Sequence, residues 1–246
     1  MHRVDRQTRG APRAPPFDRL ERKPGTAAIA YGARVAPVRL LAEGTRMARM
    51  SDTSSDESHL IFQRLDQTAR FPYTTREYLG RFLWECVEAT CIRWSPRRSH
   101  RWRRFWLRRF GARIGPITAT KASTRIVHPW LLSVGEYSMI AEGVTIYNLG
   151  QITIGSHTVI SQDAYLCGGT HDYTRCNLPL QRAEIRIGSG VWIGAGAFVG
   201  PGIIVGDNSV IGARAVVTSN VPPGVIVAGN PARVIKPRPL GQIAGA

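Results

Sequence analysis

The residues best suited to chemistry lie in one polar stretch, LCGGTHDYTRCNLPLQRAEIR at 166–186, where His171 is followed by Asp172. A histidine held in place can take the proton of a hydroxyl and make that oxygen a nucleophile. Asp172 or a carbonyl of the loop can hold the ring and select its tautomer. The plainer alternative is a histidine that only hydrogen-bonds within its own loop. Asn148, in the run Ile146-Tyr147-Asn148-Leu149, is the other polar residue expected near the mouth of that loop.

What positions these residues is a repeat. From Ile187 the chain reads IGSGVW, IGAGAF, VGPGII, VGDNSV, IGARAV and VTSNVP, six hexads without a slip. Each opens with Ile or Val, and Gly follows in five of the six. A period of six suits neither a helix nor a simple strand, but it suits a solenoid of short strands and sharp turns. The same phase runs back through Val134, Ile140 and Ile146, then Ile154, Ile160 and Leu166, with Ile152-Thr153 as a two-residue slip. Three hexads per coil make four triangular coils, and a weaker fifth begins at Ile114 and passes Ile126, hence about four to five in all. Stacking at about 4.8 Å turns the first positions into one apolar column and sets Asn148 under Gly168. Gly at the second position suits a place that a Cβ would obstruct. The loop at 167–186 is then an excursion from a corner, and such excursions usually build sites.

The net charge of +16 is concentrated. Residues 1–50 carry +7 and residues 97–113 carry +8, from eight Arg and no acid, so the repeat itself is nearly neutral. A neutral solenoid with basic appendages is not a duplex-binding domain, and nucleic acid is not an expected partner. Cys86, Cys91, Cys167 and Cys176 form neither a disulfide framework nor a zinc motif, which fits a reduced, cytoplasmic setting. No stretch of the sequence is expected to form a transmembrane helix. Some trimeric β-helices bind zinc through three histidines across a subunit interface. Here His128, His157 and His171 show no close pairing, and no metal is expected.

Residues 1–56 read as a basic, disordered tail, with Met47 and Met50 as alternative starts just before the organised sequence. Residues 57–113 read as a helical cap. Thr75 to Trp94 has Leu79, Phe82, Leu83, Cys86, Val87 and Thr90 on one side, and Arg97 to Arg113 interleaves Trp102, Phe105, Trp106, Leu107 and Phe110 with Arg. A cap is needed because an open solenoid end exposes edge strands. A second reading makes 75–113 a basic amphipathic surface resting on anionic lipid, at the inner face of a membrane. The solenoid domain spans 114–235, and 236–246 is a tail.

Together these residues resemble the hexapeptide-repeat acyltransferases, whose fold is a left-handed parallel β-helix. The likeness is greatest to sugar O-acetyltransferases, and above all to the colanic-acid-biosynthesis type. It covers roughly 76–236 and rests on RWRRFWLRRFGARIG at 101–115, HPWLLSVGEY at 128–137, YNLGQITIGSHTVISQDAYLCGGTHDYT at 147–174, the hexads at 191–217 and AGNPARVIK at 228–236. The left hand comes from the resemblance alone, since crossovers are ordinarily right-handed.

The resemblance implies an acetyl-CoA-dependent O-acetyltransferase of exopolysaccharide or surface-glycan biosynthesis. It implies a homotrimer with sites between subunits and a saccharide acceptor, free, nucleotide-activated or lipid-linked. His171 falls on the family's general base, and no nucleophilic Ser or Cys matches, so the hydroxyl attacks the thioester directly. Ala195 matches a position whose N–H faces the thioester, and Ala213 a small residue along the pantetheine arm. Thr218 and Ser219 stand where the family has a Thr-Lys pair, so one cation is missing, for which Arg214 is a replacement. Arg233 and Lys236 match basic residues near the cofactor phosphates. Trp192 matches an aromatic residue of the site wall and Asn148 an acceptor-binding Asn. The alternatives are a different donor or an amine acceptor on the same fold, and a non-catalytic scaffold.

Overall fold

A computed structural model describes residues 73–239, together with Gln63 and Gly241. The tail at 1–56, the alternative starts, most of 57–72 and the end of the 236–246 tail lie outside the described residues.

The hexads wind as expected, three short strands to a coil. The first coil holds β1 (Arg113–Ile114), β2 (Ala119–Thr120) and β3 (Arg125–Ile126). The second holds β4 (Leu132–Val134), β5 (Met139–Ile140) and β6 (Thr145–Tyr147). The third holds β7 (Ile152–Ile154), β8 (Val159–Ile160) and β9 (Tyr165–Cys167). A hairpin, β10 (Gly169–His171) and β11 (Leu180–Arg182), then leaves the solenoid. The fourth coil is β12 (Ile185–Ile187), β13 (Trp192–Ile193) and β14 (Phe198–Val199), and the fifth β15 (Ile204–Val205), β16 (Val210–Ile211) and β17 (Val216–Val217). A partial sixth consists of a bridge at Val221 and β18 (Val225–Ala228), against which β19 (Arg233–Pro237) returns antiparallel.

The coil count therefore exceeds the expected four to five. The first coil is complete although Thr120 stands where later coils place Ile, and the sixth is masked in sequence by Pro222-Pro223. Equivalent strands pair in parallel to give three faces. Ile114, Val134, Ile154, Ile187 and Val205 align in the first, and Thr120, Ile140, Ile160, Ile193, Ile211 and Val227 in the second. Ile126, Ile146, Leu166, Val199 and Val217 align in the third. All of these are buried, and each aliphatic side chain so placed contributes about 1.5–3 kcal/mol relative to exposure.

Glycine at the second hexad position answers to close approach. A Cβ on Gly135 would stand 2.5 Å from Ser156 N, and one on Gly194 2.6 Å from Ala213 N. The left-handed turn residue comes two places later. At the corner between the first and second faces it is Tyr137, His157, Gly190, Asn208 and Gly224 in successive coils, with φ of 54°, 54°, 66°, 57° and 68°.

Both ends of the stack are closed. α1 (Thr75–Val87) starts at a capping box of Thr74 and Glu77 and runs into a π-turn at Glu88–Ile92, and α2 (His100–Arg109) follows. The apolar side expected on the first helix is turned outward: Leu79, Phe82 and Leu83 are exposed and Trp84 is buried. The reason is the need of the edge strands for partners. Trp84 Nε1 donates to Ile126 O at 2.6 Å, and Glu88 Oε1 accepts from Ile126 N at 3.1 Å. Burial, partly offset by that bond, holds the Glu88 carboxyl above its ordinary range. Arg108 donates to Ile114 O, Arg104 to Thr118 O and Arg103 to Thr120 O. The Arg103 guanidinium is fully buried, its remaining donors meeting Ser95 Oγ, Pro96 O, Arg97 O and the His100 ring. At the far end Val221 covers β15, β18 covers β16, and Gly229 and Ala232 bond to Val216 of β17. No helix among the described residues is long and apolar enough to cross a membrane.

Candidate active site

The loop predicted at 167–186 is a two-stranded hairpin with Gly169 opposite Arg182, Thr170 opposite Gln181 and His171 opposite Leu180. It emerges at the corner between the third and first faces. Gly168 anchors its base, donating to Tyr147 O and accepting from the N–H groups of Gly150 and Ala183. The tip is shaped by Asp172, whose Oδ1 accepts from the Thr174 hydroxyl at 2.6 Å and from its N–H at 3.1 Å. Those two bonds hold the Asp172 carboxyl below its ordinary range. The carboxylate is thus engaged in the turn, while the ring of His171 is held by a carbonyl.

That carbonyl is Leu178 O, 2.7 Å from His171 Nδ1. A carbonyl only accepts, so Nδ1 carries the proton and Nε2 is the basic nitrogen of an exposed side chain. Leu178 has φ of 40°, a left-handed conformation uncommon for Leu, which aims its carbonyl back across the hairpin. The hairpin is also tied to the cap. Arg182 Nη1 lies 3.8 Å from Glu77 Oε1, and its guanidinium sits 5.0 Å from the centre of the Tyr73 ring, which Arg81 approaches at 4.5 Å. Beside the hairpin base, burial pushes the Cys167 thiol up, and its S–H donates to Gly169 O at 3.1 Å.

Asn148 lies under Gly168 as expected, but it is fully buried and turned toward the coil below. Its Oδ1 accepts from His128 N at 2.9 Å and its Nδ2 donates to His128 O, while His128 Nδ1 donates to Asn148 O at 3.0 Å. The carboxamide is committed to holding two coils together, and in this arrangement it is not offered to a substrate. Burial lowers the affinity of the His128 ring for a proton.

The residues matched to a cofactor lie elsewhere on the prism. Ala195 and Ala213 stack in consecutive coils at the corner between the second and third faces. Ala195 O accepts from Arg214 N at 2.8 Å, and its N–H makes no backbone hydrogen bond among the described residues. Trp192 is half exposed on the second face, and its Nε1 donates to Ser161 Oγ at 3.0 Å. Thr218 and Ser219 follow β17 at the same corner as the hairpin, two coils further on. Arg233 and Lys236 are exposed on β19 at the closed end. One chain therefore carries His171 on one edge of the prism and Ala195 and Ala213 on another, with the third face between them.

Leu178, Arg182 and His128 were not singled out from sequence as parts of this arrangement. The only signal for Leu178 is the Leu-Pro step at the tip, and a backbone acceptor leaves no trace in residue type.

Residues 184–219 match the bacterial transferase hexapeptide (six repeats) family. The chain belongs to the bacterial hexapeptide-repeat transferases, and within them to the acetyltransferases of the colanic acid biosynthesis type. It is 44% identical over 156 residues, 63% of this chain and 86% of the relative, to "Putative colanic acid biosynthesis acetyltransferase WcaF" of Escherichia coli (strain K12). Among solved structures, a maltose O-acetyltransferase from Clostridium difficile 630 matches with a TM-score of 0.63 and 26% identity, over 68% of this chain and 90% of that one. A galactoside acetyltransferase in complex with coenzyme A matches at 0.61 and 24%, over 68% and 84%, and shows the same fold. The chain is an acyltransferase, which sets the scaffold reading aside.

Proposed function

We propose that this protein transfers the acetyl group of acetyl-CoA to a hydroxyl of a saccharide in surface-glycan or exopolysaccharide biosynthesis. The observation that carries the reading is the bond from His171 Nδ1 to Leu178 O, which selects the tautomer of the neutral ring whose basic nitrogen is Nε2, on an exposed side chain. His171 takes the proton of the acceptor hydroxyl as that oxygen attacks the thioester carbonyl, and gives it to the departing thiolate as the C–S bond breaks. The N–H of Ala195 donates to the carbonyl oxygen as it gains charge. A cysteinyl intermediate is disfavoured, because Cys167 is held as a thiol by its burial.

The residues present suit the co-substrate. Ala195 and Ala213 leave the edge between the second and third faces low, and Arg233, Lys236 and Arg214 supply cations toward phosphate near its end. Because the base and this edge lie at different corners, the site is completed between copies of the chain, as a homotrimer provides. By name, relatives support the co-substrate and the acceptor class: the galactoside acetyltransferase structure holds coenzyme A, and the maltose enzyme is named for its sugar.

The test is release of free thiol from acetyl-CoA in the presence of a glycan acceptor, with wild type beside His171→Ala at matched trimer concentration. Unchanged turnover in the variant would overturn the mechanism. Stability of the product in alkaline hydroxylamine would overturn the hydroxyl acceptor in favour of an amine.

A further inference from the structure

Six of the eight arginines of 97–113 fall into two sets, while Arg97 lies 3.8 Å from Glu142 and Arg113 stands on β1. Arg103, Arg104 and Arg108 donate to carbonyls of the first coil, and so belong to the closure of the solenoid. Arg101 and Arg109 are exposed and with Trp102 and Phe105 follow the spacing of a single helix face, and Arg98 is exposed in the turn just before it. Trp102 and Phe105 are 45% and 56% exposed and stack on each other at 6.1 Å. Trp94, 84% exposed, precedes this face, and Ile117, 55% exposed, follows it. Arg101, Arg104, Phe105, Arg108, Arg109 and Pro116 line a cleft of about 410 Å3 between α2 and the first turn of the solenoid. No Asp or Glu occurs from 97 to 113.

A merely solvated helix face mixes charges of both signs and avoids Trp and Phe. Exposed aromatic rings flanked by guanidinium groups, without acids, match the membrane–water interface, where rings sit at headgroup depth and arginine forks hold phosphate oxygens. A duplex-binding surface needs positive charge continued along a track, whereas here it stops at the nearly neutral coils. We propose that the outward face of α2 is a docking surface for anionic phospholipid. Trp102 and Phe105 enter the headgroup layer, and Arg98, Arg101 and Arg109 pair with its phosphates. Each arginine brought near such a surface strengthens binding about fivefold. The catalytic hairpin leaves the solenoid after the third coil, so roughly 10 Å of rise separates it from the first coil. Resting on the proposed acetyl transfer, this arrangement favours an acceptor saccharide anchored in the same bilayer.

The experiment uses the full chain and vesicles of phosphatidylcholine, alone or with phosphatidylglycerol, at physiological salt. Wild type should sediment with the anionic vesicles and not with phosphatidylcholine alone. The double variant Arg101→Glu/Arg109→Glu should bind at least about tenfold more weakly. Because neither side chain bonds to the first coil, melting temperature and thiol release with a soluble acceptor should stay at wild-type values. Phe105→Ser alone should also weaken vesicle binding. Wild type that ignores anionic vesicles overturns the proposal. So does a double variant that binds as well as wild type, which would place the contact in the basic residues 1–50. Duplex DNA bound in place of vesicles and lost in the same variant would assign the face to nucleic acid instead. A silent thiol-release assay alongside intact, variant-sensitive vesicle binding would refute the acetyl-transfer reading and leave the docking surface standing.

Discussion

Two histidines follow third-face strands at the same corner of the prism, two coils apart, and each donates Nδ1–H to a carbonyl. His128 donates to Asn148 O and is buried, its Nε2 without a partner and its ring beside Tyr73 and Trp130. His171 donates to Leu178 O and is exposed. The same tautomer is therefore set twice, once inside the wall and once at the end of a two-stranded arm. The difference teaches that the hydrogen bond to the ring does not by itself make a base. What separates the two is the hairpin, which carries Nε2 out to solvent, as the proposed role of general base requires.

The largest effect should come from breaking the exposed partner. His171→Ala is expected to cut turnover by about 10²–10⁴-fold with an unchanged melting temperature, measured by thiol release and calorimetry. His128→Ala should do the reverse, costing about 2–4 kcal/mol of unfolding free energy by denaturant titration while turnover per folded chain stays near wild type. Loss of turnover without loss of stability in His128→Ala would erase the distinction. The buried ring also sets a sign for pH. Burial depresses its proton affinity in the fold, so its contribution is intact above the unfolded-state value of about 6.5 and is lost as pH falls through the lower folded value. His128→Gln should flatten that acid limb of the stability profile.

Smaller effects probe the arm. Arg182→Gln removes the tie to Glu77 and Tyr73 and should lower kcat about tenfold with little change in KM for acetyl-CoA, while Arg182→Lys restores part of it. Leu178→Gly keeps the carbonyl and relieves the positive φ, so turnover should persist and stability should shift by less than about 1 kcal/mol. A large fall in turnover there would mean that the Leu side chain itself, and not its carbonyl, serves the base.

Most of the solenoid was legible in sequence, because a column of first-position Ile and Val leaves a period that survives without any knowledge of partners. The first and last coils were harder to read, since Thr120 and Pro222-Pro223 replace the residues that announce the repeat. His171 was legible as the odd residue in a polar excursion. The orientation of Asn148 was not, because its register under Gly168 says nothing about whether the carboxamide turns up toward the loop or down to His128. The inward arginines escaped for a related reason. Arg103 and Arg108 find carbonyls seventeen and six residues away, and in sequence they look the same as Arg101 and Arg109.

The closure of both ends has a consequence for the molecule in a crowded solution. A stack of parallel strands is a template, and an uncovered last coil invites another chain to continue it. Here Ile114, Thr118, Thr120 and Ile126 already spend their outward carbonyls on Arg108, Arg104, Arg103 and Trp84, and the other end folds its own chain back over the final strands. The end strands are thus occupied by the chain's own groups, with β19 as the outer edge at the far end, and end-to-end growth of the stack is disfavoured.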